Sequence, residues 1–269
     1  MMKKIISLFL ASFMVLGLVA CANNGGSAAS TEAASTEVAG EANNEVATTT
    51  QKLIMCTNAE FPPYEYKEGG EFLGIDVEAA KLIGEKIGAE VEILDIAFDS
   101  LIPTVNSGKA DFAMAGMTVT EDRLENVDFS HTYQTAVQSI IVPVDSDIES
   151  DADLYDGKKI GVQLGTTGDI YCTDDFGDEN ISRYPKIVDG VQAMKTGAID
   201  ACVVDDQVAK AIIASDTSSF KILETPYAEE EYAIAVKKGN KELLDKINAA
   251  IDEIMSNGEL QAIVDKYIK

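Results

Sequence analysis

The sequence has few of the side chains that metal sites and nucleic-acid interfaces require. Its one histidine, His131, excludes a histidine-based metal cluster and argues against a histidine-dependent catalytic relay. Only 21 basic residues stand against 46 acidic ones, a formal net charge of −25. Because nucleic acids attract proteins through lysine and arginine, this balance predicts no nucleic-acid partner. The excess acid either keeps the surface solvated or attracts cations.

The four cysteines do not form a metal or redox motif either. No two of them have the spacing CxxC, and we predict neither a bound metal nor a cofactor. Cys56 and Cys202 lie within apolar, strand-like runs, which predicts buried and unreactive thiols. Whether Cys56, Cys172 or Cys202 forms a disulfide stays open at this stage.

The first residues carry the pattern of an export signal. Two lysines are followed by an apolar run over residues 5–20. A membrane-spanning helix needs roughly 20 apolar residues, so the run favours a signal peptide at residues 1–20, with a short uncleaved anchor as the alternative. The run ends in LVAC at residues 18–21, which resembles a bacterial lipobox. That resemblance implies a lipidated Cys21 that anchors the protein to the outer side of the cell membrane.

Residues 21–51 are predicted to be a disordered tether that follows this cysteine. They consist mainly of Ala, Ser, Thr, Asn, Gly and Glu, with almost no bulky apolar side chain. Such a segment cannot bury enough surface to become ordered. A flexible chain of about 30 residues has a root-mean-square reach of roughly 30 Å. It would hold a folded domain away from a membrane.

From Lys52 onward, strand-like and helix-like segments alternate, which predicts an α/β fold with largely parallel sheets. Asp76 is predicted to cap a helix that stops at Gly88. A second half repeats the layout of the first, because residues 98–111 and 188–200 both contain a helix that ends at a glycine before an aspartate opens a strand. Two similar α/β lobes explain this repeat, although α/β units also resemble one another in general. The predicted strands are residues 53–57, 90–94, 111–115 and 159–163, and the short predicted helix is 100–107.

The stretch AGMTVTEDR at residues 115–123 is the most informative part of the chain. A strand is predicted to end at Ala115, and in open α/β sheets ligands lie at the carboxyl ends of strands. Gly116 allows a close approach of the backbone, Thr118 offers a hydroxyl, and Arg123 offers a planar fork that matches a carboxylate. Taken alone, Arg123 is better explained as a surface arginine that pairs with a nearby acid such as Glu121 or Glu125.

Seven blocks in order make the chain similar to the extracellular solute-binding proteins of polar amino acid ABC transporters, over about residues 52–269. The blocks are NAEFPPYEY (58–66), GIDV (74–77), FDSLIP (98–103), AGMTVTEDR (115–123), VDFS (127–130), GVQLGTT (161–167) and DACVVD (200–205). The resemblance implies a periplasmic binding protein-like fold, in which a two-segment hinge joins two α/β lobes with a ligand cleft between them. Lobe 1 is predicted at residues 52–142 and 230–269, and lobe 2 at 143–229.

The resemblance also implies how the cleft would bind a free amino acid. Arg123 would clasp its carboxylate, with Thr118, the Gly116 backbone, Thr166 and Thr167 assisting. Asp205 would accept from its ammonium, unless it is only a helix cap. Phe61 and Phe98 would enclose its side chain, with a core position as the alternative for Phe98. The full ligand-binding set implied is Asn58, Phe61, Phe98, Ala115, Gly116, Met117, Thr118, Arg123, Gln163, Thr166, Thr167 and Asp205.

Two departures from the family pattern bear on the ligand. Asn58 replaces an acid that in some relatives meets a basic side chain, and Gln163 replaces a lysine found in others. Both changes favour a neutral polar ligand such as glutamine or cystine, with Glu60 as a source of negative charge only if it points inward.

Together these features predict a monomeric, lipid-anchored binding protein that is not an enzyme. It would close around its ligand, because Arg123 and Asp205 belong to different lobes, and deliver the ligand to the membrane permease of an ABC importer. The alternatives are a dehydratase-like enzyme on the same fold and a ligand sensor.

Overall fold

A computed structural model describes residues 51–268, which belong to one compact unit. The predicted signal peptide, the predicted lipidation site Cys21 and the predicted tether lie outside the described residues, except for Gln51, where the first strand begins. Within residues 51–268, no helix has the length and the apolar character needed to cross a membrane.

Strands and helices alternate along the described residues, as the sequence predicts. The strands are β1 Gln51–Thr57, β2 Glu60–Phe61, β3 Glu65–Glu68, β4 Glu71–Leu73, β5 Ala89–Asp95, β6 Phe112–Ala113, β7 Val127–Pro143, β8 Ile160–Gln163, β9 Ile181–Tyr184, β10 Ala201–Asp205, β11 Phe220–Ile222 and β12 Ala228–Lys237. The α-helices are α1 Ile75–Ile87, α2 Leu101–Asn106, α3 Glu121–Asn126, α4 Thr167–Phe176, α5 Ile187–Lys195, α6 Asp206–Ser215, α7 Lys241–Ser256 and α8 Glu259–Tyr267.

The strands form a main sheet and a small one. The main sheet has the order β5-β1-β6-β12-β7-β10-β8-β9, with β11 on β7, and β2, β3 and β4 form a separate three-stranded sheet. Strand β1 pairs in parallel with β5 and β6 at one end, and β8 pairs in parallel with β9 and β10 at the other. The predicted α/β fold is therefore confirmed, with a parallel group of strands in each half.

Two long antiparallel strands join these halves into a fold of two α/β lobes. Strands β7 and β12 pair from Val127↔Lys237 to Gln138↔Ala228, with irregularities around Ala233. Strand β12 also pairs with β6 of the first parallel group, whereas the far end of β7 pairs with β10 of the second group and with the short strand β11. The chain thus passes between the lobes twice, once in each strand. The exact lobe boundaries, 142/143 and 229/230, stay predictions.

Helix α1 stops where the sequence predicts but does not begin as predicted. Gly88 ends it in the left-handed conformation, with φ 75°. The prediction that Asp76 is the N-cap is wrong: Gly74 takes that position with φ 120°, and no side chain caps the helix. The Asp76 side chain is buried instead, where it accepts hydrogen bonds from residues far away in the sequence.

The strand predicted over residues 111–115 is shorter than expected. Only Phe112 and Ala113 pair with neighbouring strands, β1 and β12. Beyond Ala113, Ala115 and Gly116 line a cavity, and Thr118 then meets β12 again in a single bridge to Tyr232. The chain then runs on to α3. The early end of β6 therefore exposes backbone at the place where the sequence predicts a ligand.

The three described cysteines are buried and free, which settles the question of a disulfide among them. Cys56 and Cys202 lie in β1 and β10, as predicted, and Cys172 lies in α4. Burial raises the pKa of each thiol to about 12. Thiols of this kind are unreactive near neutral pH, because the nucleophile is the thiolate.

Candidate ligand-binding site

A cavity between the lobes brings together most of the predicted site residues. The empty space between its walls, including the part that is open to solvent, is about 330 Å³. Ten of the twelve predicted positions line it: Asn58, Phe61, Phe98, Ala115, Gly116, Thr118, Arg123, Gln163, Thr166 and Thr167. Three lining residues were not predicted: Glu65, Gln138 and Tyr232.

Arg123 is a buried cation in the wall of this cavity. It lies in α3, whose N-cap Thr120 accepts a hydrogen bond from the Arg123 backbone N–H at 3.3 Å. Only 7% of the residue is exposed, so it is not the surface arginine that the alternative interpretation requires. Burial lowers the pKa of its guanidinium, although Glu230 nearby acts in the opposite direction.

The hydrogen-bond partners of the Arg123 guanidinium are carbonyl oxygens. Nη1 donates to Thr118 O at 2.8 Å, and Nη2 donates to Gly165 O of the other lobe at 3.1 Å. The ring of Phe98 lies 5.4 Å from the guanidinium carbon. Because a guanidinium has five N–H donors, these two bonds leave donors and a full charge for an anion in the cavity.

The N-terminus of helix α4 approaches the same cavity from the second lobe. Thr166 is its N-cap and accepts from Asp169 N at 3.4 Å, while the Thr166 hydroxyl donates to Gln163 O at 2.8 Å. Thr167, the first residue of the helix, is buried and lines the cavity. A helix N-terminus carries partial positive charge, so α4 and Arg123 present positive potential from both lobes.

Two amide side chains meet across the lobes in another part of the cavity wall. Gln163 Nε2 donates to Asn58 Oδ1 at 2.8 Å and to Pro185 O at 3.1 Å. Asn58 Nδ2 donates to Ile96 O at 3.0 Å. Both residues are buried. The amides lie at the ends of β1 and β8, where the sequence predicts side-chain recognition, and neither carries a charge.

Gly116 forms part of the cavity wall, and any larger residue at this position would displace neighbouring side chains. Its φ is 51°, and an added Cβ would lie 3.1 Å from the ring of Phe61 and 3.3 Å from that of Tyr232. The Gly116 N–H donates to Asp76 Oδ2 at 2.7 Å. The N–H is therefore committed inside the protein, and only the carbonyl of Gly116 remains for a ligand.

The other two predicted positions, Asp205 and Met117, do not line the cavity. Asp205 is 1% exposed and caps α6, with Oδ1 accepting from Gln207 N at 2.8 Å and Val208 N at 3.1 Å. Its Oδ2 accepts from the hydroxyls of Tyr232 at 2.9 Å and Tyr64 at 3.5 Å. Asp205 thus lies behind Tyr232, and its predicted contact with an ammonium stays a prediction.

Met117 is fully buried, and its carbonyl accepts from Ala233 N at 3.0 Å. It therefore joins the first lobe to strand β12. Of the three lining residues that were not predicted, Glu65 lies inside the quoted block 58–66, whereas Gln138 and Tyr232 lie on β7 and β12. Only the pairing of those two strands brings the last two to the cavity, so no local sequence signal marks them.

Replacing Asp205 by alanine is expected to lower the free energy of unfolding by about 2 kcal/mol, because the variant loses a helix cap and leaves buried hydroxyls without an acceptor. Urea unfolding measures the change. Asp206→Ala is the matched control, since the Asp206 side chain forms an ion pair with the exposed Lys210 and accepts from Gln207 Nε2 at 3.0 Å, and its loss is expected to cost less than about 1 kcal/mol. Equal effects of the two substitutions would contradict this role of Asp205.

Comparison with known proteins gives consistent results. Residues 53–269 match the family described as bacterial extracellular solute-binding proteins, family 3. The chain is 36% identical to the arginine-binding extracellular protein ArtP of Bacillus subtilis (strain 168), over 99% of this chain and 98% of that protein. It is 31% identical to the ABC transporter glutamine-binding protein GlnH of the same organism, over 100% of this chain and 98% of that protein.

Solved structures share the fold at similar identity. An ancestral arginine-binding protein bound to glutamine has a TM-score of 0.76 and 39% identity, covering 81% of this chain and 97% of that chain. The same protein bound to arginine has a TM-score of 0.75 and 39% identity, covering 81% and 98%.

Proposed function

The chain belongs to family 3 of the bacterial extracellular solute-binding proteins, and we propose that it captures one free amino acid in the cavity between its lobes. The observation that carries this proposal is Arg123, a buried cation that lines the cavity and, among the residues that the structure describes, is bonded through its guanidinium only to carbonyl oxygens. A buried charge of this kind is stabilised by an anion of matching geometry, and the carboxylate of an amino acid provides one.

In this proposal the carboxylate of the ligand lies between Arg123 and the N-terminus of α4. The guanidinium binds it through two parallel hydrogen bonds, and Thr118 and Thr167 add donors from the two lobes. The ammonium lies toward the carbonyl of Gly116 and toward Tyr232, where Asp205 contributes negative charge from behind the ring. In this position the negative carboxylate of the zwitterion faces positive groups, and its positive ammonium faces negative ones.

The energies are sufficient for tight binding. Each hydrogen bond to a charged group contributes roughly 1.5–3 kcal/mol, whereas a micromolar complex needs only about 8 kcal/mol in total. The lobes also contact each other directly, through Arg123 with Gly165 O and Asn58 with Gln163. Lys186 and Glu60 add an ion pair. A ligand held by both lobes favours the closed arrangement, which the permease of an ABC importer would then recognise.

For the ligand side chain we propose a neutral polar group, with glutamine as the first candidate. The amides of Asn58 and Gln163 offer donors and acceptors without charge, and Phe61 and Phe98 offer apolar walls. Arginine is the second candidate. The faces of two aromatic rings attract a guanidinium, and one relative is named as an arginine-binding protein.

We also propose export by the signal peptide at residues 1–20, anchoring through lipidated Cys21, a monomeric state and a role in binding without catalysis. The tether would place the lobes within reach of a permease in the same membrane. These proposals rest on the lipobox-like end of the apolar run and on relatives named as binding proteins of ABC transporters.

The test is a calorimetric titration of the purified protein with the common amino acids and cystine. We expect one ligand per chain, micromolar affinity or tighter, and glutamine among the strongest ligands. Arginine as the strongest ligand would select the second candidate. Absence of binding by every amino acid would overturn the proposed function.

Asn58→Asp is expected to shift the preference toward arginine by about tenfold relative to glutamine, because a carboxylate then faces the end of the ligand side chain. The measurement is the ratio of the two dissociation constants in wild type and variant. Asn126→Asp makes the same chemical change on the exposed face of α3 and serves as the control. An unchanged ratio in Asn58→Asp would place Asn58 away from the ligand side chain.

A further inference from the structure

Glu65 and Asp76 form a buried pair of carboxyl groups beside the cavity. Glu65, the first residue of β3, lines the cavity but is only 1% exposed, and Asp76 is fully buried in the first turn of α1. Neither oxygen of Glu65 has a hydrogen-bond partner, and neither does Oδ1 of Asp76. The other oxygen of Asp76 accepts from Gly116 N at 2.7 Å and from Tyr133 OH at 2.8 Å.

Two ionised carboxylates are not stable in this place. A buried charge needs donors or a cation, and these three oxygens have neither. The groups that face the pair from the surrounding strands are the carboxyl group of Asp205 and the phenols of Tyr64 and Tyr133. None of them is a cation, and Asp205 adds further negative charge.

We propose that Glu65 and Asp76 hold one proton between them and that this pair positions Gly116 in the wall of the binding cavity. The proton is on Glu65, whose O–H donates to Oδ1 of Asp76, and Asp76 remains ionised. This proton gives Asp76 Oδ1 the hydrogen-bond donor that it lacks, and it removes the negative charge of the buried Glu65 carboxylate.

The electrostatics act in the direction that this arrangement requires. Burial and the charge of Asp76 raise the pKa of Glu65 well above its ordinary value. Burial raises the pKa of Asp76 to about 6, opposed by the hydrogen bonds from Gly116 and Tyr133. Because Gly116 and Tyr133 donate to Asp76 whereas neither oxygen of Glu65 has a donor, we place the proton on Glu65 and the charge on Asp76.

The pair is linked to the cavity through a single backbone group. Asp76 Oδ2 fixes the N–H of Gly116, and Gly116 lies against the rings of Phe61 and Tyr232. Loss of the proton would set two charges side by side, and their repulsion would move Asp76 and with it the Gly116 wall. Glu65 is thus a positioning residue, and its predicted effect on ligand affinity rests on the proposed function.

The first experiment needs no ligand. Infrared spectroscopy of the full protein at neutral pH is expected to show the C=O band of a protonated carboxyl group, and Glu65→Gln is expected to remove it. Urea unfolding across pH is the second readout. A folded-state pKa above the unfolded value stabilises the protein at low pH, and this contribution is lost as pH rises toward the folded-state value.

Within residues 51–268, three carboxyl groups have a raised pKa and contribute to these unfolding experiments. Asp76 and Asp205, with pKa values of about 6, account for the loss of stability up to that pH. A further loss at higher pH belongs to Glu65, and it is expected in the wild type but not in Glu65→Gln. A wild type that lacks the carboxyl band, or a Glu65→Gln variant that keeps both the band and the alkaline loss, overturns the proposal.

Ligand affinity provides the test of positioning. Above the pKa of Glu65, the wild-type protein must take up a proton before it binds the ligand. Its affinity is therefore expected to fall by about tenfold for each further pH unit. Glu65→Gln keeps a donor toward Asp76 but cannot lose a proton, so its affinity, whatever its value at neutral pH, is expected to stay constant where the wild-type affinity falls. Glu65→Leu removes the donor and is expected to bind weakly at every pH.

The outcomes separate this inference from the proposed function. Binding with the same pH profile in wild type and Glu65→Gln overturns the shared proton but leaves amino acid capture intact. If no amino acid binds at all, the proposed function fails, while the carboxyl band and the unfolding profile still decide whether the proton is shared.

Discussion

Replacing Arg123 by alanine is expected to weaken amino acid binding by about 3 kcal/mol, a loss of roughly a hundredfold or more. Two charge-assisted hydrogen bonds to the ligand carboxylate disappear, and the carboxylate is left in a cavity that excludes the water it would otherwise bind. Calorimetric titration of wild type and variant with the strongest ligand measures the loss. Since Arg123 also bonds Gly165 O, closure of the lobes is expected to become less favourable as well.

Arg123→Lys is the matched control for this result. Lysine keeps the positive charge but lacks the planar fork, so we expect an affinity between those of wild type and Arg123→Ala. Circular dichroism of each variant shows whether the fold is retained, because Arg123→Ala also leaves Thr118 O without its donor. A folded Arg123→Ala protein with wild-type affinity would contradict the proposed carboxylate site.

Replacing Gly74 by alanine is expected to destabilise the protein by about 4 kcal/mol, the sum of an unfavourable backbone conformation and severe overpacking. Gly74 has φ 120° and ψ 172°, a region that is almost exclusive to glycine. An added Cβ would lie 2.2 Å from Tyr64 O, a backbone atom that cannot turn away. The displaced residues adjoin Glu65 and the start of α1, so the cavity wall would change as well.

Gly70→Ala separates the two causes of this destabilisation. Gly70 also has a positive φ, 89°, but no atom lies within 4 Å of the position of an added Cβ. It therefore suffers the backbone cost alone, about 1–2 kcal/mol. Urea unfolding of both variants gives the difference, and a Gly74→Ala protein no less stable than Gly70→Ala would show that the contact with Tyr64 O is relieved without cost.

Local sequence signals predict the elements of this fold well where the interactions are local. Gly88 ends α1 because a glycine in the left-handed conformation satisfies the last carbonyls of the helix, and the sequence shows that glycine directly. The prediction of Asp76 as a cap fails because its partners, Gly116 and Tyr133, lie 40 and 57 residues away in the sequence. A side chain that is bonded over such distances cannot be distinguished from a cap by its neighbours in the sequence.

The quoted blocks predict most of the residues that line the cavity, although Glu65 belongs to one of these blocks and is not predicted. Arg123 and Thr167 line the cavity as the resemblance implies, each held by an element that its own block encodes. Gln138 and Tyr232 could not be predicted, because the register of β7 against β12 brings them to the cavity. Whether Asp205 meets the ligand stays a prediction, since its environment depends on Tyr232.

The buried thiols have a practical consequence for measuring the opening and closing of the two lobes. Cys56, Cys172 and Cys202 are buried and remain protonated near neutral pH, so a maleimide dye would leave them unmodified in the folded state. A cysteine introduced on the rim of either lobe would then be labelled selectively within residues 51–268, without removal of the native three. Fluorescence from such a dye could report opening and closing in real time.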